Sequence, residues 1–180
     1  MIIVREYDPK WKFDFESIKT ELYPLIRDQA KAIEHVGSTS IAGLSAKPII
    51  DIDIVYDRPE QLPIIIGKLE TAGYSHVGDL GIKHRDAFKL EGHRIKHNLY
   101  ACLEGSLALR NHMILRDHLR AHPEDCIKYS KLKKVLARQY PNNMDSYIDG
   151  KTDFILEILE KYNLEAENLL EIRSVNEKPK

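Results

Sequence analysis

The sequence predicts an α/β (α+β) fold, a mixed sheet flanked by helices and followed by a C-terminal helical segment, and three observations predict it. The segment Lys47 to Tyr56, KPIIDIDIVY, alternates cleanly, with Ile50, Ile52 and Ile54 on one face and Asp51, Asp53 and Val55 on the other. Strand-like and helix-like runs follow one another through the first hundred residues, an order that puts helices against a sheet. From Ser106 onward every apolar pattern has helical spacing. Residues 1–104 are therefore expected to form the core and 105–165 to pack on it as helices of the same domain. The acidic tail over 166–180 is expected to fray.

Taken in order, the chain turns at Asp8 and Pro9, after which Phe15, Ile18, Leu22, Ile26 and Ile33 fall at spacings of three, four, four and seven, one face of a helix. Pro24 interrupts that run. A proline in a helix interior costs about 3 kcal/mol, so a kink or short break is expected near Tyr23. Ala32 to Val36 is short, β-branched at two positions and stopped by Gly37, which reads as a strand. After the alternating strand, Pro59 opens a helix to Ala72, closed by Gly73. Strand-like runs follow at Tyr74 to Val77, Arg85 to Leu90 and Arg94 to Leu103. Ser106, Pro123 and Asn143 then mark the starts of three helices. In the last, Phe154, Ile155, Ile158, Leu159 and Tyr162 form an apolar stripe.

Composition limits the functions open to such a chain. It has 180 residues, enough for one core of ordinary size. Its 27 Lys and Arg balance 28 Asp and Glu, which argues against a nucleic-acid coat or a polybasic membrane binder. No apolar run approaches the roughly 20 residues that span a bilayer, and the N-terminus lacks the pattern of a signal peptide. Cys102 and Cys126 belong to no CxxC pair, so a reducing cytoplasm is the expected compartment. Charge is nevertheless uneven. Between Ser106 and Tyr140 stand Arg110, Arg116, Arg120, Lys128, Lys131, Lys133, Lys134 and Arg138 against Asp117, Glu124 and Asp125. These cations either line a cleft that faces phosphates or form a solvated helix face.

The chemistry concentrates in Glu34 to Asp53, EHVGSTSIAGLSAKPIIDID. Gly37 and Ser38 turn directly after a strand, with Thr39 and Ser40 following, and such a turn offers backbone N–H groups and hydroxyls to an anion. Taken alone, it also reads as a helix cap. Asp51 and Asp53, two apart on a strand, project on the same side, the spacing that holds divalent cations. On an otherwise Ile-rich strand, unpaired carboxylates are expensive to bury unless a metal or a basic neighbour accompanies them. The twelve residues between the Gly-Ser turn and Asp51 would set phosphate cradle and metal strand side by side. Two cations about 4 Å apart stabilise both the attacking and the leaving oxygen of an in-line displacement.

This joint pattern resembles the signature of the nucleotidyltransferase superfamily. More closely, IEHVGSTSIAGLSAKPIIDIDIVY, with VREYDPKW, LRDHLRAHPEDCIKYSKLKKVLA and KTDFILEIL in order, is similar to the GrpB (UPF0157) family from about Val4 to Tyr162. The resemblance implies a nucleotidyltransferase-like core followed by helices, and a family that also occurs fused to dephospho-CoA kinases. It implies a phosphate turn at Gly37, Ser38, Thr39 and Ser40, an Ala-Lys-Pro at Ala46, Lys47 and Pro48, an aspartate at Asp51, and basic positions at Arg116, Arg120, Lys133 and Lys151. Where the family often has His-x-His, this chain has Asn98 and Tyr100, with His97 beside them. A third carboxylate, usual in active nucleotidyltransferases, is absent from Arg94 to Leu103. Asp86 or His97 would have to stand in for it.

The expected ligand is thus a nucleotide or other phosphate-bearing small molecule, held with Mg²⁺ by Asp51 and Asp53, with Ser38 and the cations Lys47, Arg116, Arg120, Lys133 and Lys151 on its phosphates. Transfer of a nucleotidyl group to a small molecule or protein is the leading expectation. A catalytically inactive anion-binding or accessory module is the alternative, and nucleic acid is the weakest partner. His118 and His122, four apart on a helix, have the spacing of zinc ligands, but HLRAH lacks the metalloprotease glutamate and a third ligand. No GxSxG elbow is present.

Overall fold

A computed structural model describes residues 1–177. Five strands form one sheet: β1 (Ala32–Val36), β2 (Ile50–Tyr56), β3 (Ser75–Gly78), β4 (Arg85–Lys89) and β5 (His97–Leu103). Their spatial order is β1-β2-β5-β4-β3, and only β2 and β5 run parallel. That parallel pair is possible because a long crossover, α2 (Gln61–Thr71) with the β3–β4 hairpin, separates the two strands in sequence. The expected strands Ala32 to Val36, Lys47 to Tyr56 and Arg94 to Leu103 thus lie in one sheet, side by side.

The pleat sorts β2 by chemistry. Ile50, Ile52 and Ile54 point to one face, where Phe15, Ile18, Leu22 and Ile26 of α1 (Lys10–Ile26) and Ile65 and Leu69 of α2 bury them. Each such side chain contributes roughly 1.5–3 kcal/mol on leaving water. Helix α1 runs through Pro24 without the expected break, because the missing N–H falls in the last turn, just before the helix ends at Ile26. Ile33, expected to extend that helical face, lies on β1 but joins the same core. Helix α2 begins two residues after Pro59, where the Gln61 side-chain carbonyl accepts from the N–H groups of Asp57 and Arg58.

The opposite face carries Asp51, Asp53 and Val55, and α3 (Leu107–Ala121), α4 (Pro123–Gln139) and α5 (Met144–Glu160) fold back over it and beyond its edge. Their starts match the caps read from the sequence. Ser106 Oγ accepts from the Leu109 N–H, Pro123 occupies the first turn of α4, and Asn143 accepts from the Ser146 N–H. Leu109 of α3 packs on Val55 and Cys102, so one end of this sheet face is sealed while the Asp51 end stays open.

Of the segment expected to fray, residues 166–176 are helical, and residues 178–180 lie outside the described residues. Residues Ala166–Asn176 form α6, docked through Ile172, which is buried with Leu156, Leu159 and Leu164. Leu164, Leu169 and Ile172 supply the apolar surface by which this acidic segment packs. Among the described residues no helix is long and apolar enough to cross a membrane.

Candidate functional site

The site begins where β1 ends. Gly37 has φ 66° and ψ −174°, a conformation essentially confined to glycine. A Cβ there would overlap the Asp51 carboxylate, 2.8 Å from its Cγ. The glycine therefore serves two purposes, releasing the chain into a turn and letting the neighbouring strand's acid approach its backbone. Residues Ser38–Ser40 form one 3-10 turn. Two of its three hydroxyls hold the turn itself. Thr39 Oγ1 donates to the Ile49 carbonyl and meets His35 Nε2 at 3.1 Å, while Ser40 Oγ donates to the Gly37 carbonyl. Both hydroxyl hydrogens are therefore spent within the protein. Ser38 alone turns its Oγ to the cleft, a 220 Å³ cavity walled by Gly37, Asp51, Tyr129, Lys151 and His112.

Lys133 crosses from α4 to place its Nζ 2.8 Å from Ser38 Oγ, with the Tyr129 ring 4.5 Å away. It is only 2% exposed, and burial, then the nearby Lys151 charge, holds its pKa well below the ordinary lysine value. Lys151 of α5 lies over Tyr147, and Lys47 lies on the same ring. Burial and then the Lys47 charge pull Lys151 down to about 8. Three lysines thus converge where no carboxylate forms an ion pair with them among the described residues. Gly150 lets α5 pack closely on α4, since a Cβ there would overlap the Leu136 side chain.

The two arginines act differently from expectation. Arg116 donates to Glu34, Asp117 and the His35 carbonyl, so its guanidinium is already neutralised between β1 and α3. Burial opposes its charge, but the bonds to Asp117 and Glu34 outweigh that cost and raise its pKa. Arg120 grips the Ser40 carbonyl through Nε and a terminal nitrogen, bracing the turn from behind. Arg120, Thr39 and Ser40 line a separate 520 Å³ hollow beside Phe15 and His35.

Asp51 and Asp53 project on the same face, as their spacing predicts. Asp51 accepts from Asn98 Nδ2 at 2.7 Å, and burial raises its pKa. Asp53 is 0% exposed and accepts from His112 Nδ1 at 2.7 Å through one oxygen, while the other, Oδ1, is buried without a partner. For His112, burial disfavours the charged ring, but the charge and hydrogen bond of Asp53 prevail and its pKa is raised. His112 was not among the residues singled out from the sequence. The available signal was a histidine and an arginine four apart, His112 and Arg116, set among Leu109, Met113 and Leu119 on one helix.

His97, expected as a ligand or base, is elsewhere. It pairs in register with Ile50, so the pleat points it to the opposite face. There Tyr74 donates to its Nε2 at 2.9 Å, and its Nδ1 donates to the Ile95 carbonyl. Asp86 is likewise spent on His76. In place of a third carboxylate, β5 sets Asn98 beside Asp51 and Tyr100 beside Asp53. The zinc spacing of His118 and His122 also has a structural use: His118 bridges Asp125 and Tyr162, and His122 donates to the His118 carbonyl. Among the described residues no group of three or more His, Cys, Asp or Glu could hold a metal ion.

Comparison with known proteins agrees with this architecture. The profile of the GrpB protein family matches residues 1–161. UPF0157 protein YqkA of Bacillus subtilis is 36% identical over 149 residues, 83% of this chain and 43% of its own length, so the chain spans less than half of that relative. The crystal structure of conserved protein GrpB from Enterococcus faecalis superposes with a TM-score of 0.78 at 29% identity, covering 89% of this chain and 99% of that one. A more distant likeness, TM-score 0.56 at 12% identity over 85% of this chain and half of the other, is to the Cid1 poly(U) polymerase. That level of identity speaks for the fold alone. Turn, paired acids, sheet order and helical cover together give the chain a nucleotidyltransferase-like fold, and it belongs to the GrpB family.

Proposed function

We propose that the cleft between the Gly37–Ser38 turn and helices α4 and α5 binds the phosphates of a nucleoside triphosphate or a related phosphate-bearing small molecule. The observation that carries this reading is the buried Lys133 on Ser38, accompanied by Lys151 and Lys47, with no acid forming an ion pair with any of the three among the described residues. Burying cations in this way costs stability unless an anion joins them, and a polyphosphate supplies that anion. Ser38 Oγ and the backbone of its turn would donate to phosphate oxygens, and the lysines would neutralise charge.

Mg²⁺ fits the acids in a limited sense. Asp53 Oδ1 is buried without a partner, and Asp51 is an acid whose ionisation burial opposes, so a cation between them would relieve both. Two carboxylates suffice for Mg²⁺ when waters and ligand phosphates complete its shell. Asp51 and Asp53 would therefore hold the ion together with the nucleotide rather than before it. Bound there, Mg²⁺ would supply neutralisation of phosphate charge.

A second reading, nucleotidyl transfer to a small molecule or protein, is favoured by the Asp53–His112 pair. With Nδ1 bonded to Asp53, the free Nε2 of His112 would take the proton of an attacking hydroxyl as it joins the α-phosphorus and pyrophosphate leaves with the broken α–β bond. The test is equilibrium binding of ATP, GTP, CTP and UTP with Mg²⁺ and with EDTA. Ser38→Ala is expected to weaken binding in both conditions and Asp51→Asn only with Mg²⁺. No binding of any of the four would exclude a nucleoside triphosphate as the ligand and nucleotidyl transfer with it.

A further inference from the structure

Next to the phosphate cleft lies a second cavity of 240 Å³, and His112 and Asn111 of α3 and Asn176 of α6 line both. Ile82, Leu107, Ala108, Ile172 and Val175 supply its apolar wall, and Lys83, His84, Arg85 and Glu171 line the rest. Its charged lining residues are Lys83, Arg85 and Glu171, and Arg85 is the half-buried cation among them, in no ion pair among the described residues. Arg85, at the start of β4, lies over the Tyr100 ring at 4.6 Å, and its Nε is buried with no acceptor. Among the described residues its guanidinium forms neither an ion pair nor a side-chain hydrogen bond. Every other arginine buried to a comparable degree is engaged: Arg116 holds two acids and a carbonyl, and Arg173 bridges Asp153 and Glu177. Beside it the backbone is unusual, since His84 and Leu80 both have positive φ, 61° and 54°. Such conformations in residues other than glycine persist where the surroundings enforce them.

We propose that this second cavity binds a small carboxylate with an apolar body, its carboxylate held by Arg85 and its far end reaching His112. A guanidinium stacked on an aromatic ring keeps its edge free, and that fork matches a carboxylate's two oxygens. The aliphatic walls select an apolar body, and the amides of Asn111 and Asn176 would bond any polar substituent. Glu171 also lines the cavity and disfavours a ligand carrying several negative charges, which separates this cavity from the phosphate cleft. Two of its apolar residues, Ile172 and Val175, come from α6, which lies beyond the residues 1–161 that the family profile matches. Binding here does not depend on the nucleotide reading. Only the ligand's role as acceptor rests on that reading.

The experiment is saturation-transfer NMR on the full chain with hexanoate and benzoate, their amides hexanamide and benzamide, and inorganic phosphate as probes. At least one carboxylate is expected to bind, with its amide and phosphate at least tenfold weaker. Arg85→Gln should lose tenfold or more of that affinity, as should Val175→Trp, which fills the cavity without altering charge. Lys133→Met should leave it unchanged. The melting temperature of each variant reports folding, and ATP is titrated into the same samples. Carboxylate binding that needs Arg85 supports the cavity assignment even if ATP fails to bind. If neither carboxylate binds, if amide or phosphate binds as well, or if Arg85→Gln has no effect, the assignment is overturned, whatever ATP does.

Discussion

Lys133 and Ser38 stand 95 positions apart in sequence and 2.8 Å apart in space, and that hydrogen bond joins the helical half of the protein to the turn at the sheet edge. The lysine is buried among Tyr129, Lys151 and the turn, and a hydroxyl is its only hydrogen-bonding partner among the described residues. A cation so placed costs folding free energy and is retained where a ligand needs it.

Replacing that lysine by an apolar side chain of similar length should therefore separate stability from function. Lys133→Met is expected to leave the melting temperature unchanged or to raise it by a few degrees, about 1 kcal/mol for a chain of this size. ATP affinity should fall about tenfold or more, roughly 1.4 kcal/mol. Differential scanning calorimetry and isothermal titration on the same preparation would read both effects.

Gly37→Ala tests the contact between turn and acid. Its Cβ would meet Asp51, and its φ of 66° is strained for alanine, so the variant should lose about 1–3 kcal/mol in chemical denaturation. Gly43 also has positive φ but no atom near its would-be Cβ. Gly43→Ala should therefore lose less, and equal losses would show that Asp51 is not crowded against the turn.

The lysines predict a pH dependence. Lys151 ionises at about 8 in the folded, unliganded protein, and a bound phosphate would hold it protonated. Binding then takes up a proton above that value. Affinity for ATP, whose own last phosphate ionisation lies near ~6, should drop about tenfold between pH 7 and pH 9. Lys151→Arg, which keeps its charge, should flatten that slope in titrations run without metal.

The Asp53–His112 pair predicts the opposite region of pH for folding. Because the folded pKa of His112 is raised above its unfolded value, its stabilisation is fully present below about 6.5 and is lost as pH rises through the folded value. His112→Asn retains a donor but no charge. Its deficit relative to wild type, about 1.5–3 kcal/mol for a charged hydrogen bond, should be largest near pH ~6 and narrow towards pH ~9 in urea melts.

Much of this architecture was legible in the sequence because it depends on local signals. The alternation of Ile50 to Val55 fixed both the strand and the common side of Asp51 and Asp53, and the caps at Ser106, Pro123 and Asn143 marked three helices. Partners were not legible. Arg116 and Lys133 are both basic residues on neighbouring helices, yet one is neutralised by Glu34 and Asp117 while the other is without an acid partner among the described residues, a difference that tertiary packing alone decides. His97 was misplaced by a single step of register, since the residue beside Asn98 must face the other side of the sheet. His112 was overlooked because the acid that orients it lies 59 residues away.

The most direct measurement is the melting temperature of the purified protein with ATP, GTP, CTP and UTP, each with Mg²⁺ and with EDTA, beside Ser38→Ala and Lys133→Met. A ligand that binds the folded state at about 100 times its dissociation constant adds about 2.7 kcal/mol, several degrees for a chain of this size. At least one nucleotide should raise the melting temperature of the wild type, more with Mg²⁺ than without, and both variants should lose most of that shift. No shift with any of the four, or a shift that survives in both variants, would contradict a nucleoside triphosphate site at Ser38 and Lys133.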